Sequence, residues 1–325
     1  MKKVFALVVS LLLVLSLGLV VAACGKDNGN NPIDDKSFSV VDQAGRTVKF
    51  KYQPQNIITL SPSNTEIVYA LGIGDRLKGN TTYCDYPEAA KSVDKVGGFS
   101  TANSESVTQL IGSNRDDFVI FAVTLHLTNG TVAKMEELNY KVVILQADSI
   151  AQLFDSMRLV DKVCGGVYTD LTIQSLEARV NAVTSKITAS TTRVTIMHEV
   201  YTGHTVSGAS TMMNDIINLV GGKNVAATWG TGNNIKASIE NIIDANPQII
   251  TMVVNMGTML DGTLYTEFSS NPIFSVMDAV KNKQVYVISD DIQPSRNGPR
   301  SVDVLEEMAR ILHPEIFGPP QHSQN

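Results

Sequence analysis

Aromatic side chains are scarce: they make up 6% of the 325 residues, and Trp229 is the single tryptophan. Any cluster of them therefore carries weight. Catalytic signatures are missing as well. The chain has no G-x-S-x-G elbow, Walker loop, H-E-x-x-H or C-x-x-C, so no motif brings a nucleophile to a base or phosphates to a glycine-rich loop. None of the five histidines (His126, His198, His204, His313, His322) pairs with another at i, i+4 or H-x-H spacing, so no metal cage is evident. Basic charge is also short. Lys and Arg number 26 against 32 acids, a formal charge of −6, which becomes −8 without residues 1–23 because Lys2 and Lys3 go with them. A nucleic-acid partner needs a basic surface and is disfavoured. Beyond Cys24 only Cys84 and Cys164 remain, on separate elements, and they read as free thiols.

What is present begins with an address. Lys2 and Lys3 precede an apolar run from Val4 to Ala23, which ends at Cys24 before a polar GKDNGNNP. A basic start, a hydrophobic middle and a small-residue end describe a secretory signal. The run is also about long enough for a plain membrane anchor. Val21-Ala22-Ala23-Cys24 resembles the lipobox of bacterial lipoproteins, in which the cysteine becomes the lipidated first residue, and this reading is preferred. Residues 1–23 are then the signal, 24–36 a flexible tether, and the remainder sits outside the cytoplasm, held at a membrane.

FSVVDQAGRTVKF alternates apolar and polar residues around Gln43-Ala44-Gly45, a β-hairpin pattern. NIITL is a short buried strand, and Ser61-Pro62-Ser63-Asn64 caps the helix that follows. DDFVIFAV and KVVILQA are further buried strands, and this first half alternates strand and helix. From Ser149 the pattern turns helical, with Ile173, Leu176, Val180, Val183 and Ile187 on one stripe. The α/β rhythm then restarts with RVTIMHEV, NPQIITMVV and KQVYVIS. The predicted organisation is an α/β lobe over 37–148, a helical linker over 149–190 and a second α/β lobe over 191–325. Leu71-Gly72-Ile73-Gly74 follows a helix and lacks a third dinucleotide glycine, so it reads as a helix stop. The acid pairs Asp34/Asp35 and Asp290/Asp291 read as solvated loop surface. The two lobes echo each other, since Glu105 and Glu240 each lie in the first turn of a helix that feeds a buried strand.

TTYCDYPEAAKSVDKVGGFS, residues 81–100, sets Tyr83, Tyr86 and Phe99 in a proline-broken, glycine-ended loop. Loops with clustered aromatics usually touch something. With SPSNTE and ALG before it, this region resembles the periplasmic substrate-binding proteins of ABC importers for vitamin B12, iron-siderophores and haem. The similarity runs from about Phe38 to Ile316, and Tyr83-Cys84-Asp85-Tyr86-Pro87 is most similar to the cobalamin branch.

The resemblance implies two Rossmann-like lobes joined by a single long helix, with the ligand in the cleft between them. It implies ligand contact by Tyr83, and by Phe99 where the cobalamin binder has tryptophan. Tyr86 and Arg300 are further ligand candidates, as is His198 at a strand end. In the second lobe Asn234 stands where that branch has another tryptophan, and Trp229, five residues earlier, reads as its substitute or as a rim or core residue. Glu105 and Glu240 match the exposed pair that meets arginines of the importer's membrane subunits.

No catalysis and no cofactor are expected. The expected cargo is a corrinoid, and the expected partners are a permease and its ATPase, met by a monomer. An iron-siderophore is the alternative cargo, disfavoured because cleft arginines are few, mainly Arg296 and Arg300. Haem is another, through an axial Tyr83, His126, His198 or His204. An extracytoplasmic α/β enzyme and a sensor or adhesion lipoprotein are alternatives of other classes.

Overall fold

Each lobe is organised by short apolar strands that are buried on both faces, the signature of a parallel sheet covered by helices. The computed structural model describes residues 37–187, 193–201, 203–253, 266, 268–289, 292 and 294–324. The signal, Cys24, the tether and both acid pairs (Asp34/Asp35 and Asp290/Asp291) lie outside the described residues. No described helix is long and apolar enough to cross a membrane.

The expected hairpin forms first, from β1 (Phe38–Val41) and β2 (Thr47–Phe50), in antiparallel register with Phe38 opposite Phe50. Gly45, at φ +77°, makes the turn. The Asp42 carboxylate accepts from the amides of Ala44, Arg46 and Ile144, so one buried acid ties the turn to the first sheet. That sheet contains β3 (Asn56–Thr59), β4 (Leu77–Asn80), β5 (Asp94–Lys95), β6 (Phe118–Ala122) and β7 (Val142–Ile144), in the order β5-β4-β3-β6-β7, all parallel. Chain order reverses between β3 and β6, and ligands of open α/β sheets bind beyond the strand ends at such a switch point.

Helix α1 (Pro62–Ala70) leaves β3 through Ser61, whose hydroxyl accepts from the Asn64 amide, with Pro62 in the first turn. It stops where the sequence places the stop: Gly72 takes φ +74°, and a Cβ there would lie 2.4 Å from the Tyr168 ring. Helix α2 (Ser104–Ile111) leads into β6, while α3 (Thr124–Thr128) and α4 (Thr131–Glu137) lead on to β7.

The helical linker is two helices, α5 (Ile150–Cys164) and α6 (Thr169–Thr184). Ile173, Leu176 and Val183 of the stripe are buried, and Val180 is half-buried. The helix ends one turn before Ile187, which instead packs toward Gly221. Between linker and second lobe, Asp215 Oδ2 accepts from the Ile150 amide at 2.9 Å and so occupies the N-terminus of α5.

The second sheet contains β8 (Thr195–Tyr201), β9 (Thr205–Ser207), β10 (Lys223–Asn224), β11 (Asn234–Lys236), β12 (Ile249–Val253), β13 (Val285–Ile288) and β14 (Ser323–Gln324). Its centre, β10-β8-β12-β13, is parallel, whereas β9, β11 and β14 add antiparallel edges. Helix α7 (Met212–Leu219) precedes β10, α8 (Ile239–Ala245) precedes β12, α9 (Asp278–Lys281) precedes β13, and α10 (Ser301–Leu312) packs on α6 and α7. The buried Glu307 of α10 accepts from the amides of Gln321 and His322 and from the Ser323 hydroxyl, which seats β14. The outcome is α/β throughout, with Rossmann-like lobes as expected. The two cysteines are free and buried, and burial pushes the Cys164 thiol up to about 12.

His198 lies inside this sheet, fully enclosed, with Nδ1 2.8 Å from the Thr251 hydroxyl. Burial pushes its pKa down to about 3. An unfolded histidine at about 6.5 takes up a proton that the folded one refuses, so this contribution to stability is complete above pH 6.5 and is lost as pH falls toward 3. Urea unfolding between pH 7 and pH 4 should show stability falling with acid by up to about 1.4 kcal/mol per pH unit from this group. His198→Asn should flatten that slope, and equal slopes in the two proteins would refute it.

Candidate functional site

The C-terminal strand ends of both sheets converge on one cleft. From the first lobe its lining takes Ser61–Asn64 after β3, Val123–Leu125 after β6 and Leu145–Ala147 after β7; Phe99 joins them from the loop after β5. The second lobe adds Tyr201 at the end of β8 and Ser295, Arg296 and Asn297 after β13, and α5 adds Ser156. The enclosed part holds about 270 Å³, enough for one edge of a large ligand rather than the whole. It lies at the switch point of the first sheet, between β3 and β6.

Phe99 is positioned by a histidine. His126 is fully buried; its Nε2–H donates to the Phe99 carbonyl at 2.6 Å and its Nδ1 accepts from the Val123 amide at 3.1 Å. Both ring nitrogens are thereby used, and burial holds the imidazole neutral by lowering its pKa. The Phe99 ring meets the His126 ring edge-on at 5.6 Å. Tyr83 is 44% exposed and stands against the same turn, where a Cβ on Gly98 would lie 3.7 Å from its ring. The two loops are joined by the Thr82 amide, which donates to the Gly97 carbonyl.

Charge in the cleft is concentrated in one cluster. Arg300 donates through Nε and Nη2 to the buried Glu66 carboxylate at 3.0 and 2.6 Å. Arg296 pairs with Asp85 through both terminal nitrogens and stands 3.7 Å from Glu66. Its guanidinium hydrogen bonds hold the Asp85 carboxyl below the usual carboxylate range. The Tyr86 ring covers Arg300 at 4.0 Å.

The expected site residues therefore separate. Phe99 lines the enclosed cleft, and Tyr83 stands beside it. Tyr86 faces Arg300, and Arg300 is committed to Glu66. Trp229 packs against the second-lobe core, and Asn234 is exposed on the edge strand β11, opposite Ser207. The histidines offered as axial ligands turn inward: His126 and His198 are buried, and His204 packs against the Phe268 and Phe274 rings. Burial sites are where apolar strands and their flanks place them, so position after a strand did not distinguish a cleft histidine from a core one.

Among the described residues, no group of three or more His, Cys, Asp or Glu could hold a metal. Sequence reasoning missed Tyr201, Gln146 and Asn297. Tyr201 ends β8 and Gln146 lies two residues past β7, the same cue that drew attention to the histidines, whereas Asn297 lies nine residues beyond β13 and gave no such signal.

Glu105 and Glu240 are both exposed. Asn103 Oδ1 accepts from the Glu105 amide at 2.9 Å at the start of α2, and Ser238 Oγ accepts from the Asn241 amide at 3.1 Å at the start of α8. Hydrogen bonds from its own amide and from the Ser238 hydroxyl lower the Glu240 pKa. Glu105 also borders a surface groove between α2 and α4, with Thr108, Lys134 and Glu137. The helices α2 and α8 feed β6 and β12, the strands across each switch point, so the two acids hold equivalent places in the two lobes.

A periplasmic binding protein family model matches residues 57–292. An uncharacterized ABC transporter substrate-binding lipoprotein of Bacillus subtilis, YvrC, is 26% identical, covering 98% of this chain and 99% of its own length. A vitamin B12-binding protein of Vibrio cholerae is 22% identical, covering 80% of this chain and 90% of its own. The crystal structure of the periplasmic vitamin B12 binding protein BtuF of Vibrio cholerae superposes with a TM-score of 0.69 at 21% identity, covering 82% of this chain and 98% of that one, a likeness of fold. With its strand-end cleft between two α/β lobes, the chain belongs to the periplasmic binding protein family, whose members bind solutes rather than act as enzymes.

Proposed function

We propose that this chain is a lipoprotein, anchored through Cys24 outside the cytoplasm, that captures a corrinoid and hands it to the permease and ATPase of an ABC importer. The observation that carries the cargo assignment is the character of the cleft. Arg296 is the one charged side chain among its described lining residues, and Asp85 and Glu66 already neutralise it. The rest is apolar or neutral-polar, with Phe99 and Tyr201 beside Ser63, Asn64 and Asn297. A corrin presents a flat apolar face and a rim of primary amides, which such a lining suits. An anionic siderophore would need unpaired cations. The B12-binding relative and the Tyr83–Pro87 loop support the same cargo. The solute is bound without chemical change, and the expected state is a monomer.

Docking would use Glu105 and Glu240. Both are exposed, one per lobe, at equivalent helix starts, so arginines on the importer could read the separation of the lobes from two points.

Titration of residues 25–325 with cobalamin, cobinamide, haemin and a ferric siderophore, followed by absorbance and calorimetry, tests the cargo. Saturable binding is expected for a corrinoid, and Phe99→Ala and Tyr83→Ala should each weaken it about threefold to tenfold. Absence of corrinoid binding would sink the assignment, and saturation by haemin or the siderophore alone would replace it. For docking, Glu105→Lys with Glu240→Lys should abolish uptake by cells while leaving ligand affinity within about twofold. Normal uptake by that variant, or lost affinity, would refute the docking role.

A further inference from the structure

The loop that carries Tyr83 is fastened to its own lobe on either side, before Asp85 and again at the buried Ala90, whose carbonyl accepts from Asn80 and Lys95, and to the second lobe between them. On the home side, the Thr82 amide donates to Gly97, the Cys84 amide donates to Thr81, and the Cys84 thiol lies within 3.2 Å of the Thr65 and Thr81 hydroxyls. On the far side, Asp85 and Tyr86 are each held by an arginine of the second lobe, through the Arg296 ion pair and the Arg300 guanidinium beneath the ring.

The two arginines also meet Glu66, and the Glu66–Arg300 and Asp85–Arg296 pairs differ in strength. Glu66 is 3% exposed and Arg300 9%, so parting them would strand a buried charge. The segment between the arginines also rests on α1, where a Cβ on Gly298 would lie 3.2 Å from Glu66 Oε2 and 3.6 Å from Ser63 Cα. The Asp85 side chain, by contrast, is 52% exposed and can be taken up by water, while the buried Arg296 keeps Glu66 at 3.7 Å as a counter-charge when Asp85 leaves. Among these described contacts between the lobes, the Asp85–Arg296 pair is the one that yields, because Glu66 stays with both arginines.

We propose that Arg296 is a positioning residue for the ligand wall: through Asp85 it latches the Tyr83–Pro87 loop from the opposite lobe, while Glu66 and Arg300 keep the lobes together. Ligand would then be admitted by release of this loop rather than by parting of the lobes. The ligand arm of the test below rests on the corrinoid reading, but the latch itself does not.

Hydrogen exchange on the full chain without ligand tests the latch. In Asp85→Ala and in Arg296→Ala, the amides of Thr82 and Cys84 should exchange on the order of tenfold faster. Those of β3 and β6 should stay unchanged, and the double variant should go no further than either single one. Unchanged loop exchange in Asp85→Ala would overturn the proposal, as would acceleration that spreads into β3 and β6 in Arg296→Ala.

With cobinamide as probe, the two variants should weaken binding by the same factor and without additivity. Weakening by Arg296→Ala alone would make Arg296 a direct ligand contact and overturn the positioning role. If cobinamide fails to bind the unaltered chain, the corrinoid reading falls while the exchange measurement still decides the latch.

Discussion

A carboxylate withdrawn from water must be met by positive charge and hydrogen bonds, and Glu66 imposes that requirement on both halves of this molecule. It sits on the helix that leaves the central strand of the first sheet, beside the switch point where the cleft forms. Its partners come from the segment before the last long helix of the second lobe. The cleft is therefore closed behind by an ion cluster as well as by the linker helices. Two acids and two arginines in that cluster balance, so the wall offers little net charge to a ligand.

The lobes contribute unequally. The first lobe supplies most of the described lining and holds it rigidly, through the hairpin turn at Asp42, the cap at Ser61 and the neutral imidazole of His126 behind Phe99. The second lobe supplies fewer contacts, at Tyr201 and around Arg296, and its sheet carries antiparallel edges that the first lacks. A first-lobe wall completed by a few second-lobe residues fits a binder that recognises a large ligand by one edge.

Much of this was legible in the sequence, for physical reasons. Runs such as FVIFA and IITMV announce themselves because a parallel strand covered on both faces must be apolar throughout. Ser61, Ser149 and Ser238 mark helix starts because the first turn needs an acceptor for its free amides. The places of Glu105 and Glu240 followed from the repeated order of helix and strand. The Glu66–Arg300 pair was not legible, since 234 residues separate its members and a buried arginine looks in sequence like a cleft cation. His126 and His198 misled in the opposite direction. The edge strands β9, β11 and β14 span two or three residues, too few for any period to show.

The seating of β14 by Glu307 bears on how such a chain matures. Made from its N-terminus, the chain completes the first sheet once residue 144 has appeared, whereas the second waits for residue 324. Until then Glu307 has neither the amides nor the hydroxyl that satisfy it, and β13 keeps an open edge. During that interval the second lobe presents an unpaired strand edge, the kind of surface through which half-made α/β chains aggregate.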